Sequence, residues 1–232
     1  MTAFTYTHSP SLTPLTTHSP QSLSASSNPP INYLMTSVLV LRPPSPNKPQ
    51  PQILLLRRHP ADSYPLKWEP PGGSVDASDP TVLFAAAREL HEETSLSRPH
   101  FHTWVAMARD LNEDAGMKGW GVQPEEELAR DVEVEIEGGN VVRVTTFLET
   151  KNVWGKMNFV ATVDEGEVEI DPEEHVEWGW FTEDEVRRGR AVLPLENGSV
   201  KEEERVLEFT SRAVWGSVLE AFRVGRELGV IV

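Results

Sequence analysis

Residues 70–96 read PPGGSVDASDPTVLFAAARELHEETSL, and the second half of this stretch carries the most specific pattern in the chain. Glu89, Glu92 and Glu93 stand at positions i, i+3 and i+4, which places three carboxylates on one face of a helix. Because like charges this close repel each other, the pattern predicts a cation among them. The cluster offers only oxygen ligands, which suit a hard divalent ion such as Mg²⁺ or Mn²⁺.

The residues before the acidic cluster predict where this helix begins. Asp79 supplies an N-cap acceptor and Pro80 follows at the first helical position, so the helix is expected to start near Pro80. Gly72 and Gly73 precede the cap, and glycine lets the backbone approach a ligand without a Cβ in the way. An apolar stripe at spacings of three, four and seven gives the helix a buried face, formed by Val82, Leu83, Ala86, Ala87 and Leu90.

This stretch resembles the signature of the Nudix hydrolases, G-x5-E-x7-R-E-U-x-E-E-x-G-U, in which U is aliphatic. The residues that match are Gly73, Arg88, Glu89, Leu90, Glu92, Glu93 and Leu96. Two positions differ from the signature. Asp79 stands where the family has its first Glu, with one extra residue before Arg88, and Ser95 stands where the family has its last Gly.

The resemblance implies a role for each matching residue. It implies that Glu92 and Glu93 hold metal, that Glu89 holds metal or orients water, and that Arg88 braces these carboxylates as part of the catalytic group. It further implies substrate contacts and additional metal ligands elsewhere. The candidate substrate residues are Arg58 and Gly73, and the further metal ligands are the Gly72 carbonyl, Glu173 and Glu174, with Glu177 behind them.

The overall composition excludes some classes of function and disfavours others. A net charge of −15 disfavours a nucleic-acid polymer as partner, and anionic small substrates would need divalent cations as intermediaries. The chain has no Cys, which excludes disulfides, thiolate zinc sites and a Cys nucleophile. No run approaches the roughly 18 apolar residues that cross a bilayer, so no membrane partner is expected. These features favour a cytoplasmic protein, with a nuclear or organellar location left open.

The order of patterns along the chain predicts its organisation. Residues 1–30 are rich in Ser, Thr and Pro and contain no Lys, Arg, Asp or Glu, which is typical of a disordered tail. Residues 31–232 are expected to form one domain with an acidic insertion at about 109–142. Within it, residues 132–148 predict a hairpin that turns at Gly138 and Gly139. A final amphipathic helix is expected over Glu203–Leu228.

Strands before and after a helix, with a closing helix, predict an α+β fold class. The family resemblance makes this the Nudix α/β/α sandwich around a mixed sheet. It implies Mg²⁺- or Mn²⁺-dependent hydrolysis of a nucleoside diphosphate derivative, a diphosphate linked to another moiety, with release of a monophosphate. A homodimer is left open, since many relatives are dimers.

Two other interpretations of these residues remain open. Three Glu at this spacing, taken alone, would more often be a solvated helix face than a metal site. A Nudix fold that binds or regulates without catalysis is also open, because Asp79 and Ser95 depart from the signature. The substrate is open as well: nucleoside triphosphates and terpenoid or sugar diphosphates all fit the pattern.

Overall fold

The computed structural model describes residues 4–106, 129–164, 166–194 and 202–232. Its main element is a mixed sheet centred on a strand, β8, that covers Asn152–Val163. A strand at Tyr33–Arg42, β2, runs parallel to β8, and two other strands pair with β8 antiparallel. The strands are β1 Thr7–His8, β2 Tyr33–Arg42, β3 Gln52–Arg58, β4 Trp68–Glu69, β5 Pro99–Val105, β6 Arg130–Ile136, β7 Asn140–Glu149, β8 Asn152–Val163 and β9 His175–Thr182, with a separate pair β10 Arg190–Pro194 and β11 Glu202–Val206.

Helices cover both faces of this sheet, which confirms the predicted α+β fold and its three layers. The α-helices are α1 Pro20–Ser26, α2 Val82–Thr94, α3 Glu183–Arg188 and α4 Arg212–Glu227. Successive residues of β2 point to opposite faces. Val38 belongs to the core beneath α2, whereas Leu39 belongs to the core beneath α4. Each fully buried apolar side chain of this size stabilises the fold by about 1.5–3 kcal/mol.

Helix α2 begins two residues later than its sequence predicts. Its N-cap is Thr81, whose side chain accepts a hydrogen bond from the Phe84 amide at 3.1 Å. The expected cap, Asp79, accepts hydrogen bonds from Arg88 and from the Asp76 amide instead. At the other end, Ser95 adopts the left-handed conformation, with φ of 60°, that usually favours glycine. The helix therefore ends where the signature would end it.

The predicted disorder of residues 1–30 is not what the structure shows for residues 4–30. This segment contains β1, a 3₁₀ helix at Pro10–Thr16 and α1, and β1 extends the sheet alongside β5. Leu12, Leu15 and Leu23 are each no more than 1% exposed. The composition predicted disorder because few residues of this segment are apolar. Three buried leucines are nevertheless enough to pack the segment against the rest of the domain.

After residue 129, the structure confirms one predicted element and changes the bounds of another. The hairpin of β6 and β7 is confirmed, with Gly138 at a φ of 82° and Gly139 at 72° in its turn. Residues 107–128 of the predicted insertion lie outside the described residues. The final helix is present but begins later than predicted. Residues 202–206 form β11, which pairs with β10 antiparallel, and α4 begins only after Ser211, which caps it by accepting from the Val214 amide at 3.0 Å. None of the helices in the described residues is long and apolar enough to span a membrane.

A core substitution tests whether the N-terminal segment is part of the folded domain. Leu12→Ala should lower the free energy of unfolding by about 2–5 kcal/mol, because it opens a cavity at a fully buried position. Urea denaturation checks this. The matched control is Leu228→Ala, at a side chain that is 52% exposed, with an expected change within about 0.5 kcal/mol. Equal stability of the two variants would show that the segment does not pack as described.

Candidate active site

A cavity of about 470 Å³ opens beside the helix that carries the acidic cluster. The glycine loop and α2 form one wall, and β7 and β8 form another. The first turn of α4 contributes to the lining through residues 210–217. Several side chains that the sequence singled out therefore meet at one place, although they come from distant parts of the chain.

The two glycines of the loop are required by close packing. A Cβ on Gly72 would lie 2.2 Å from the Thr36 carbonyl oxygen, and Gly72 has a φ of +148°, so any other residue would have to displace β2. The loop is fixed against β2 by the Gly73 carbonyl, which accepts from the Thr36 amide at 2.9 Å. A Cβ on Gly73 would lie 2.7 Å from a carboxylate oxygen of Glu89. The backbone thus reaches the acidic cluster directly.

Arg88 organises the exposed side of the cluster. Its guanidinium donates to Asp79 at 3.1 and 2.9 Å, to Glu89 at 2.9 Å and to Glu92 at 2.8 Å. Asp79 therefore binds the Arg88 guanidinium, despite its shorter side chain and the extra residue before Arg88. Charge-assisted hydrogen bonds of this kind are shorter and stronger than neutral ones, so the Arg88 side chain is firmly held.

The buried side of the cluster is built around Glu93, which is 5% exposed. Its carboxylate accepts a hydrogen bond from the Gly72 amide at 2.7 Å. One ligand atom each of Glu93, Glu174 and His175 lie within 4.8 Å of one another. The Glu69 side chain also lines this end of the cavity and is 8% exposed.

Burial changes the protonation of these carboxylates in the absence of metal. It raises the pKa of Glu89 to about 7, although the neighbouring Arg88 opposes the shift. Burial also raises the pKa of Glu93 well above its usual range, with repulsion from Glu69 as the next cause. A divalent cation would remove this penalty, because carboxylates are favourable when they are paired with positive charge. The donor set therefore fits an ion that prefers oxygen ligands.

Two cationic side chains reach the same cavity. Arg58 lines it, but its guanidinium is committed to Glu69, to Asp62 and, at 2.7 Å, to the Ser63 carbonyl oxygen. Lys156 lines it from β8 and is partly buried. Burial lowers the pKa of Lys156, while Glu69 acts in the opposite direction. Arg58 forms ion pairs with Glu69 and Asp62, whereas Lys156 forms no ion pair with a carboxylate of the described residues, so Lys156 is well placed to face an anionic ligand.

The structure does not bring every predicted site residue into the cavity. Glu92 has a 56% exposed side chain and does not line the cavity among the described residues, although it shares Arg88 with Glu89. Glu173 is exposed, and its amide donates to Asp171. Glu177 forms ion pairs with Arg57 and Arg205 outside the cavity.

The cavity is also lined by Glu69, Lys156 and His175, to which the sequence did not point. Glu69 stands directly before the Pro–Gly–Gly loop, which is a local signal for its position. Lys156 lies two residues from both Trp154 and Asn158 on β8, and all three line the cavity, so strand alternation would have found it. His175 has no such signal, because only the pairing of β9 with β3 brings it beside α2.

Aromatic side chains form the outer part of the cavity. Phe147 on β7 and Trp154 on β8 both line it, and their rings are nearly parallel, with an interplanar angle of 14° and centroids 6.5 Å apart. Both residues are only partly buried. Lys156 lies between this aromatic wall and the acidic cluster along β8. The cavity therefore passes from acidic to cationic to aromatic character over a short distance.

The chain is similar to known proteins in part of its sequence. The model of the NUDIX domain matches residues 36–119. A curated relative from Klebsiella aerogenes, the uncharacterized Nudix hydrolase NudL, is 41% identical over 69 residues, which are 29% of this chain and 55% of the relative. The matched part thus spans about half of that relative's length.

Two solved structures are also similar to the chain. An Ap4A hydrolase from C. elegans, in a binary complex, is 16% identical and covers 84% of this chain and 98% of its own, with a TM-score of 0.46. A Nudix hydrolase from M. smegmatis, RenU, is 18% identical and covers 84% of each chain, also with a TM-score of 0.46.

The raised pKa values predict a pH dependence of stability without metal. A carboxylate whose folded pKa lies above its unfolded value makes the folded state bind more protons, so stability falls as pH rises through that interval. In EDTA, the free energy of unfolding of the wild type should therefore fall from pH 5 to pH 8 relative to that of Glu93→Gln. Urea denaturation at both pH values measures this difference. If the free energies of unfolding of the two proteins changed with pH in parallel, the pKa of Glu93 would not be raised by burial.

Proposed function

We propose that this chain, whose residues 36–119 match the model of the NUDIX domain, hydrolyses a nucleoside diphosphate derivative with Mg²⁺ or Mn²⁺. The observation that carries the proposal is the convergence of Glu89, Glu93 and Glu174 on one cavity that a glycine loop approaches with its backbone. Buried carboxylates that repel each other are unfavourable unless a cation joins them. An ordinary solvated helix face would not be placed in this way.

The residues of the chain divide the work of such a site. Glu93 and Glu174 would hold metal, with the Gly72 carbonyl beside them and Glu92 at the exposed rim. Glu89 would hold metal or orient the attacking water, because Arg88 and the close approach of Gly73 fix its carboxylate. Bound divalent cations would supply positive charge to the phosphoryl oxygens and make the attacking water more acidic.

The other proposed role of the site is to position the diphosphate by charge. The diphosphate carries several negative charges, and Lys156 would contact them, because it faces the cavity between the acidic cluster and the aromatic wall. Arg58 would act mainly by holding Glu69 in place. Preorganised charge of this kind is commonly the largest contribution to the catalysis of phosphoryl reactions.

The two sequence departures do not favour a non-catalytic module. Asp79 binds Arg88 and Ser95 closes α2, so both positions serve the geometry of the signature. We therefore propose an active enzyme. We also propose that its domain extends beyond residues 36–119, since β8, β9 and α4 all contribute to the cavity.

The aromatic wall supports a nucleotide over a terpenoid diphosphate. A nucleobase stacks on an aromatic side chain with a contribution of about 1–3 kcal/mol, and Phe147 and Trp154 offer two such rings at the distal end of the cavity. A flexible aliphatic chain would gain apolar contact there but no stacking. We propose that the nucleoside lies against this wall while the diphosphate reaches Lys156.

Carboxylate substitutions test the proposed hydrolysis. With Mg²⁺ and a panel of nucleoside diphosphate derivatives, the wild type should release a monophosphate. Glu93→Gln should lower kcat by at least about 10²-fold, because the amide keeps an acceptor for the Gly72 amide but loses the charge. Glu92→Gln should also lower kcat, by a smaller factor, since that side chain is half exposed.

A neighbouring pair provides the matched control. Glu174→Gln should lower kcat at least about tenfold, whereas Glu173→Gln should leave it unchanged, because Glu174 lines the cavity and Glu173 does not. Binding of substrate without turnover by the wild type would reject the enzyme and favour a binding module. Unchanged kinetics of Glu93→Gln would reject the proposed site.

The nucleotide proposal has its own test. Trp154→Leu should raise KM for a nucleoside diphosphate substrate about tenfold, because stacking is lost, and should leave kcat nearly unchanged. Trp180→Leu is the control, since Trp180 contacts Arg42 and does not line the cavity among the described residues. Equal KM values for the two variants would place the base elsewhere.

A further inference from the structure

His175 lines the cavity but has no part in the proposal above. His175 is the first residue of β9 and is 2% exposed. The turn before it is fixed: the amide of His175 donates to the Asp171 carbonyl oxygen at 2.9 Å, and the Glu174 carbonyl accepts from the His59 amide at 2.8 Å. The backbone therefore places the imidazole beside the acidic cluster with little freedom to leave.

Within the part of the chain that the structure describes, neither nitrogen of this ring has a hydrogen-bond partner. Nε2 lies 3.8 Å from a Glu69 oxygen and 4.0 Å from a Glu93 oxygen, which is too long for a hydrogen bond. Nδ1 is buried without a partner among the described residues. Nε2 thus faces two carboxylates without bonding to either, and such a group in a native protein calls for an explanation.

The pair of His175 and Glu93 has the spacing of two ligands around one ion. Two ligand atoms that each lie about 2.1 Å from a common metal are separated by at most about 4.2 Å. The distance of 4.0 Å between His175 Nε2 and the Glu93 oxygen satisfies this limit. The carboxylate of Glu174 lies in the same group.

We propose that His175 is a nitrogen ligand of the divalent ion in this site, so that the site binds Mn²⁺ in preference to Mg²⁺. The inference rests on the proposed function, because it assigns one more ligand to the same ion. Carboxylate oxygens suit both ions, but imidazole nitrogen suits transition metals better than Mg²⁺. The signature stretch supplies only oxygen ligands, so this preference comes from β9 alone.

A second role for His175 makes a different prediction. A protonated imidazole would partly neutralise Glu69 and Glu93 by charge and would bind no metal. In that case the ring would stay uncoordinated when the ion is present, and its removal would change the affinity for Mg²⁺ and Mn²⁺ by the same factor.

Isotope labelling of the full chain separates the two roles. The protein is loaded with Mn²⁺ and studied by pulsed EPR, once with natural histidine and once with histidine whose ring carries ¹⁵N. Modulation from a directly coordinated ¹⁴N is expected in the first sample, and replacement by ¹⁵N coupling in the second. His175 is the histidine that lines the cavity among the described residues. Bound Mn²⁺ without nitrogen coupling would overturn the proposal.

A variant adds an independent measurement. In His175→Gln, calorimetry should show Mn²⁺ affinity lowered at least about tenfold and the preference for Mn²⁺ over Mg²⁺ reduced by about the same factor. His102→Gln, on β5 and bonded to Thr162, should match the wild type. An unchanged preference in a folded His175→Gln protein would overturn the proposal, and if this variant does not fold, the isotope experiment decides.

The failures of the two proposals can be told apart. Hydrolysis with bound Mn²⁺ but no nitrogen coupling would reject His175 as a ligand and leave the enzyme intact. Absence of both metal binding and hydrolysis would reject the enzyme and the ligand together.

Discussion

The rest of the site depends on one hydrogen bond, from the Gly72 amide to the buried carboxylate of Glu93. It joins the glycine loop to α2 at the point where the loop already rests on β2. Because Gly72 packs against the Thr36 carbonyl, the loop cannot move away, and Glu93 cannot turn toward solvent without leaving a buried amide unpaired. The chain thus holds a carboxyl group in its interior whose ionised form is unfavourable until a cation binds.

Arg88 has a complementary role on the solvent side. It is bonded to Asp79, Glu89 and Glu92 at once, so it fixes the last turns of α2 relative to the loop that precedes the helix. The extra residue between Asp79 and Arg88 does not break this connection, because α2 starts at Val82 and the added length lies in the loop. A shorter acid on a longer loop reaches the same guanidinium.

Sequence could predict the features that depend on local spacing. The glutamates at i and i+4 of α2, the hairpin of β6 and β7 and the capping box of Thr182 with Glu185 all follow from residues close in the chain. The features that it could not predict depend on tertiary contacts. Asp79 has the sequence pattern of an N-cap, but in the fold its carboxylate bonds to Arg88 instead. His175 becomes a site residue only because β9 pairs with β3. The burial of the leucines in residues 4–30 likewise depends on contacts with distant parts of the chain, so local sequence does not predict it.

The parallel pairing of β2 with β8 also has a consequence for biosynthesis. Tyr33 pairs with Trp154, so the apolar run of β2 leaves the ribosome long before its neighbour in the sheet is made. Such non-local pairing is slow to form, and an unpaired apolar strand is prone to associate with other chains. Until the second half of the sheet has been translated, a nascent polypeptide of this protein therefore exposes an apolar strand whose parallel partner does not yet exist.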